Sequence, residues 1–439
     1  MAREVETGRH RRAGGLDGLA PVDVARRLGH LDGLVFFDSA GNVPSGHSAA
    51  LSVVAARPVA VCRGSIHCAA DVARLEAALW AGGSPPQADT GMPNGGLCGW
   101  IDYEGDFTFG DYPEMLVFRH GDGTGWETGS LSRQLRDGEA HSPSAARIGS
   151  LAPHRDRPWF MDGVRRIQRW IEAGDIYQVN LTQSFEAPVS GGSLFGLYEV
   201  LRETSPAPMA AWLALDGIEV LSSSPETFLR FSGRMVETRP IKGTRPRFGD
   251  PDEDLRSAYE LQTSPKEIAE LVMITDLLRN DLGQVSEFGS VEVLEMLRLE
   301  SLGQVHHLVS TVASRLRGDI SQVGALAACF PGGSITGAPK RRAMEIIREL
   351  EGARRGIYCG AIGWFGRNGE SCFNIAIRTM VRDGARLHFH VGAGIVADSD
   401  PAMEYEETLH KAAGMRMALE RYAMTGGTPE RWRPQDTGG

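Results

Sequence analysis

The segment CFNIAIRTMVRDGARLHFHVGAGIV (372–396) decides the fold class. Its first ten residues, Cys372–Val381, alternate. Phe373, Ile375, Ile377 and Thr379 fall on one side, and Asn374, Ala376, Arg378 and Met380 on the other, the period of two that a strand requires. Asp383-Gly384 is a hairpin signal, and Leu387–Val396 is the returning strand. Further toward the N-terminus, Ile176–Glu186 alternates in the same way, with Tyr177, Val179, Leu181 and Phe185 opposed to Gln178, Asn180, Thr182 and Ser184. Ahead of it, Phe160, Val164, Ile167 and Ile171 recur at helical spacing between Pro158 and Gly174, which predicts an amphipathic helix. Helices separate groups of strands without strict alternation. The reading is therefore an α+β fold with antiparallel β-sheets.

Composition narrows the function. The 439 residues are 42% hydrophobic and 23% charged, enough for a large core. A net charge of −10, with no basic block, is a poor footprint for nucleic acid. No run approaches about 18 apolar residues, so no membrane span is expected. Behind Arg3, Arg9, Arg11 and Arg12 there is no apolar run, so these read as a short basic tail and not as a signal peptide. The cysteines at 62, 68, 98, 329, 359 and 372 form no C-x-x-C pair, so neither a zinc site nor a disulfide framework is expected, and a reducing cytoplasm fits. Glycine is abundant, at 54 residues. Gly82–Gly96 (GGSPPQADTGMPNGG) reads as a loop, 119–157 as a boundary or surface excursion, and 425–439 as a disordered tail. The chain thus divides into an N-terminal region, 14–150, and one large unit, 155–422.

Several constellations could carry chemistry. Glu267 and Glu270 lie three apart on one helix opened by Ser264-Pro265, and Glu404 and Glu407 repeat that spacing after Asp400-Pro401. Two such pairs suggest a hard divalent cation, magnesium, between two helices. Each pair also has a plain reading: Glu267 completes a capping box with Ser264, and Glu407 precedes Lys411 by four, as in a surface ion pair. FPGGSITGAPK (330–340) puts a glycine-rich turn before a helix running to about Leu350, a place suited to an anion or simply a turn with Thr336 as N-cap. It is not a Walker loop, because Ala338-Pro339 stands where Lys-Ser/Thr is required. Gly392 and Gly394 let backbone approach a carboxylate, and Arg378 on the neighbouring strand could grip one with two hydrogen bonds or be merely solvated. Lys242, in Arg239-Pro240-Ile241-Lys242-Gly243-Thr244-Arg245, is the most suggestive single residue. A lysine becomes nucleophilic where desolvation or cationic neighbours favour the neutral amine, and Arg239 and Arg245 are candidates for that effect.

These signals occur together in a fixed order: DIYQVNLTQ (175–183), SSSPETFLRF (222–231), ETRPIKGTR (237–245), KEIAELVMITDLLRNDLG (266–283), HHLVS (306–310), FPGGSITGAPKRRAM (330–344), YCGAIGW (358–364), FNIAIRT (373–379), GAGIVADSDP (392–401) and EYEETLHKA (404–412). The set resembles the chorismate-utilising enzymes, among them the anthranilate, isochorismate and salicylate synthases. It is most similar to the members that make aminodeoxychorismate on the way to 4-aminobenzoate and folate. The likeness is strong over roughly 158–422. Residues 14–118 match only in general character, with Phe36-Phe37-Asp38-Ser39 resembling a strand that borders a tryptophan pocket in relatives and making Ser39 a candidate there.

The resemblance implies an anthranilate synthase component I-like fold, antiparallel β-sheets packed as a sandwich with flanking helices, and a set of roles. Glu270 and Glu407 would be the magnesium ligands, with Glu267 and Glu404 beside them. Arg378, Tyr358, Gly392 and Gly394 would meet the enolpyruvyl carboxylate of chorismate, with Ser334, His307 and Lys411 around the substrate. Relatives that add water carry lysine where this chain has Gln178, so ammonia is the expected incoming group. The P-I-K-G-T segment resembles the aminodeoxychorismate branch, in which Lys242 would form a covalent adduct while Glu226 protonates the departing hydroxyl. The matched segments leave no room for a glutaminase domain, and no cysteine stands in a Gly-x-Cys-x-Gly turn. A separate glutamine amidotransferase subunit is therefore the expected ammonia source. Anthranilate synthase component I or 2-amino-2-deoxyisochorismate synthase is the nearest alternative, and a non-catalytic chorismate- or tryptophan-binding subunit is the more distant one.

Overall fold

The computed structural model describes residues 10–39, 51–80, 91–136 and 144–424. Arg3, Arg9, residues 82–90 of the glycine-rich loop, residues 137–143 and the 425–439 tail lie outside the described residues. The predicted helix runs Arg157–Glu172. Pro158 occupies its first turn, the Asp156 carboxylate accepts from Trp159 N at 2.9 Å, and Phe160, Val164 and Ile167 are buried. Such a cap is worth about 1 kcal/mol, and the buried stripe docks the helix onto the sheet behind it.

The hairpin forms as expected. Thr379–Asp383 and Arg386–Ile395 pair from Met380↔Phe389 to Asp383↔Arg386, with Gly384 at φ +58° in the turn. Gln178–Gly191 adds to its far side, in register from Val179↔Ile395 to Pro188↔Arg386. Two expectations are corrected. Tyr177 precedes the strand and is 74% exposed instead of sharing the apolar face. The stretch 372–381 is not one strand: Glu370–Ile375 and Thr379–Asp383 belong to different sheets. Alternation continues through 376–378, so periodicity conceals the break, which Arg378 makes at φ +50°. The Cys359 and Ala376 amides, donating to Ala376 O and Gly360 O, hold the crossing in place.

Two antiparallel sheets result, with thirteen and ten strands among the described residues. Val35–Asp38 pairs with Met209–Leu215 in the first sheet, and Gly96–Ile101 pairs with Ala361–Gly366 in the second. Strands from before and after residue 150 are thus interleaved in both sheets. Even Arg11–Arg12, read as tail, pairs with Trp126 and Glu127. The sheets face one another through a shared core. Val35, Phe37 and Leu213 of the first mingle with Trp100, Ile362 and Trp364 of the second, and the Phe37 and Trp364 rings meet edge to face at 5.0 Å. An edge-to-face pair adds about 1 kcal/mol beyond area burial.

Two helices carry the acid pairs. Pro265–Gly283 packs on the strands Ile241–Pro246 and Val305–Arg315 of the second sheet, and Pro401–Met424 packs on Arg386–Ile395 of the first. Ser264 Oγ accepts from the Glu267 amide at 3.5 Å, so Ser264 is the N-cap the sequence predicts. Asp400 Oδ1 caps the second helix through the amides of Ala402 and Met403, both at 2.9 Å.

Candidate active site

Between the sheets and these helix starts lies a cavity of about 660 Å³, within the range of small-molecule sites. Lys242 and Glu226, Glu267, Glu270 and Glu407, His307, Ser334, Tyr358, Arg378, Gly392, Gly394 and Lys411 all line it. Residues spread over more than 180 positions are therefore gathered on one surface. Gln178 and Glu404 are not on the cavity wall itself. Gln178 is buried behind Gly394, where a Cβ would meet its Nε2 at 2.3 Å, and Glu404 is buried beside Glu407, its partner in the second acid pair. Ser39 lines a separate, smaller cavity, which shares Pro225, Ile241 and His307 with the first.

Glu226 is the most perturbed carboxyl of the wall. Burial pushes it from 4.5 up to about 7, against the Ser334 hydroxyl, the Lys242 ammonium and the Ile241 N–H, all of which favour its ionised form. Such a group holds or releases a proton near neutral pH. Lys242 Nζ lies 3.7 Å from Glu270 Oε2. The arginines expected to act on Lys242 are engaged elsewhere: Arg239 pairs with Glu300, and Arg245 lies 3.8 Å from Glu267. The β-strand turns Lys242 inward while its neighbours' guanidinium groups find carboxylates of their own.

Arg378 is different. Burial alone holds its guanidinium below the usual value, and no carboxylate among the described residues offsets it. A desolvated cation facing a cavity is a built receptor for an anion. His307 is kept neutral, pushed down to about 4 by burial and then by Arg378. Its Nδ1 stands 3.1 Å from Thr244 Oγ1 and 3.2 Å from Gly243 O; since the carbonyl can only accept, the ring proton is placed on Nδ1, and the buried Nε2 has no partner. Tyr358 is buried and stacks on His390 at 5.2 Å.

The glycine-rich turn becomes a short 3₁₀ segment, Gly333–Ile335, then Gly337–Ala338 pairs with Gln178–Val179. Gly337 is obligatory here, because at φ +148° a Cβ would strike Gln178 O at 2.1 Å. Thr336 is not an N-cap. Its hydroxyl donates to Gly332 O and Gly333 O, and the helix Lys340–Glu351 starts at Pro339 without a side-chain cap.

Of the plain readings of the acid pairs, the capping box is only half formed, since Ser264 Oγ accepts from the Glu267 amide while the Ser264 amide donates to Leu261 O, and the ion pair of Glu407 with Lys411 is present. Glu407 pairs with Lys411 at 2.7 Å, and Lys411 also donates to Gly392 O at 3.0 Å. Lys266 Nζ lies 3.6 Å from Glu404 Oε1 and feels all four glutamates. Burial and then repulsion from Glu270 raise Glu267. Glu404 Oε2 is buried with no hydrogen-bond partner. Among the described residues no three such ligands form a closed metal set. Hard oxygen donors on two facing helices, one of them orphaned, fit a magnesium ion that keeps waters and takes a further ligand from an anionic substrate.

Sequence reasoning missed Arg355 and Glu351, which are buried behind the Ser334 segment. The available signal was a Glu–Arg pair at i,i+4 running past the helix end. Among the described residues no helix is long and apolar enough to cross a membrane, and all six cysteines are free.

Residues 95–417 match the family of chorismate binding enzymes. The chain is 47% identical over 264 residues to anthranilate synthase component 1 1 of Haloarcula marismortui, covering 60% of this chain and 54% of that protein. It is 44% identical over 272 residues to aminodeoxychorismate synthase component 1 of Bacillus subtilis, covering 62% and 58% respectively. The chain thus spans a little over half the length of these curated relatives. The crystal structure of anthranilate synthase component I from Streptococcus pneumoniae superposes with a TM-score of 0.72 at 28% identity, over 85% of this chain and 93% of that one.

Proposed function

Because the chain belongs to the chorismate binding enzyme family, we propose that it converts chorismate and ammonia to 4-amino-4-deoxychorismate. The observation that supports this reading is the convergence of Lys242 and a carboxyl with its proton held near neutrality, Glu226, on one cavity. The neutral Lys242 amine adds to ring carbon C2, the two ring double bonds shift, and the C4–O bond breaks. Glu226 supplies the proton with which the hydroxyl leaves as water. Ammonia then adds at C4, the double bonds shift back and the C2–N bond to Lys242 breaks. The proton lost by the new C4 ammonium returns to Glu226. Each half-reaction is easier than direct displacement of hydroxide.

Arg378, with Tyr358, Gly392 and Gly394 beside it, receives the enolpyruvyl carboxylate, while His307, Ser334 and Lys411 complete the enclosure. Gln178 stays neutral behind Gly394 and supplies no base for water. Glu270 and Glu407, with Glu267 and Glu404, would hold magnesium, which as a Lewis acid neutralises the ring carboxylate. Ammonia comes from a separate glutamine amidotransferase subunit, and the free cysteines accord with a cytoplasmic setting. The smaller cavity at Ser39 would take tryptophan. The second reading, anthranilate formation by direct attack of ammonia on C2, rests on relatives of both names matching at similar identity. It has no use for Lys242.

Incubation with chorismate and Mg²⁺ in the absence of ammonia tests the first reading. A covalent mass on Lys242 is expected by peptide mapping, and aminodeoxychorismate is expected once ammonium chloride is added. Anthranilate as the product, with no adduct, transfers the protein to the second reading.

A further inference from the structure

Among the described residues Arg355 is the largest fully buried side chain, 1% exposed. Its guanidinium makes four contacts in one plane's reach. Nε and Nη2 donate to the two Glu351 oxygens at 2.9 and 2.7 Å, Nη1 to Ile335 O at 3.1 Å and Nη2 to Asn180 O at 2.7 Å. The Tyr103 ring covers it at 4.6 Å. Glu351 is in turn held by the Thr182 amide and hydroxyl at 3.0 and 2.9 Å. A buried ion pair is a weak device for stability, because packed apolar groups serve as well. What an arginine fork adds is directional grip on several acceptors at once, which a lysine lacks. Here two of the gripped carbonyls belong to Ile335 and Asn180, both on the cavity wall, and Asn180 Nδ2 also donates to Ile335 O at 3.1 Å. Ile335 follows Ser334, whose hydroxyl meets the Glu226 carboxyl.

We propose that Arg355 is a positioning residue, clamping the Ser334–Ile335 segment against the strand of Asn180 so that Ser334 holds Glu226 in its working place. The proposal rests on the role given to Glu226 above, but its deciding measurement does not require turnover. Lys242 is the charged group facing Glu226, with Ser334 and the Ile241 N–H completing its contacts. Losing the Ser334 contact therefore raises the Glu226 midpoint.

The test compares wild type with Arg355→Lys and Ser334→Ala in the full chain. The Glu226 carboxyl is titrated by carbon-13 NMR in ligand-free protein, with Glu226→Gln for assignment. Both variants are expected to move the midpoint upward from about 7. In the amination assay Arg355→Lys is expected to lower kcat by on the order of a hundredfold, as for a misplacement of about 1 Å, with KM nearly unchanged. A midpoint unmoved in Arg355→Lys overturns the proposal, whether or not the wild type aminates chorismate. Wild-type protein that titrates as expected but makes no aminated product instead overturns the proposed function alone. Should Arg355→Lys fail to fold, Thr182→Val, which removes one hydrogen bond to Glu351, is read by the same midpoint.

Discussion

Lys242 Nζ stands 3.7 Å from Glu270 Oε2, so the proposed nucleophile and one of the two acid pairs are electrostatically joined. We expect Lys242→Ala to abolish the covalent mass acquired from chorismate. Glu270→Ala and Glu407→Ala should each remove turnover and the response of thermal stability to Mg²⁺. Full activity in Lys242→Ala would end the covalent reading, and near-normal rates in both glutamate variants would leave the pairs as helix-surface charges.

Glu226 makes a pH prediction of definite sign. Its folded value, about 7, lies above the ordinary 4.5, so the folded protein binds this proton more tightly than the unfolded chain. Stability from this group is therefore lost as pH rises from 4.5 through about 7, and above that burial of the ionised carboxylate costs roughly 3 kcal/mol. Glu226→Gln is expected to raise the melting temperature relative to wild type at about pH 8 and to change it little at about pH 4. Turnover should fall by about 10²- to 10⁴-fold in the same variant. In wild type, kcat/KM should decline as the proton is lost near pH 7; a rate that is flat across that range contradicts the acid role.

Arg378 trades stability for binding. It is a desolvated guanidinium with no carboxylate to offset it among the described residues. Arg378→Met should leave the fold as stable or more so in urea titration, and weaken chorismate binding by about 2–5 kcal/mol in calorimetry. Unchanged affinity would show that the enolpyruvyl carboxylate lies elsewhere.

Gly392 and Gly394 differ in what surrounds them. A Cβ on Gly394 meets the movable Gln178 amide, whereas one on Gly392 meets Thr182 Cγ2 at 2.7 Å and Leu181 O at 2.8 Å. Gly392→Ala is expected to destabilise by about 1–3 kcal/mol in urea, and Gly394→Ala by less. The reverse order would mean that the strand, not the side chain, yields.

The smaller cavity is testable by mass. Ser39 Oγ and Trp364 Nε1 are buried there without partners, both able to serve a polar ligand. Tryptophan should be retained in native mass spectra, and Ser39→Ala should weaken it. Retention of no tryptophan, even at millimolar supply, removes this assignment.

The sequence by itself determined the local elements: the helix through Phe160 and Ile167, the Asp383-Gly384 hairpin, the Ser264 cap and the order of segments that mark the family. These depend on neighbours within a few residues, which periodicity and turn chemistry record. Tertiary structure decided what lies across gaps. The left-handed turn at Arg378 splits an apparently continuous strand between two sheets, because alternation persists through the crossing. Pairing choices sent Arg239 and Arg245 to Glu300 and Glu267, away from the role the neighbouring sequence suggested. The Arg355 clamp, uniting positions 180, 335, 351 and 355, had no local signature beyond one i,i+4 pair. Burial likewise cannot be read along a chain: it is the closing of the structure over Glu226 that lifts its carboxyl toward neutrality.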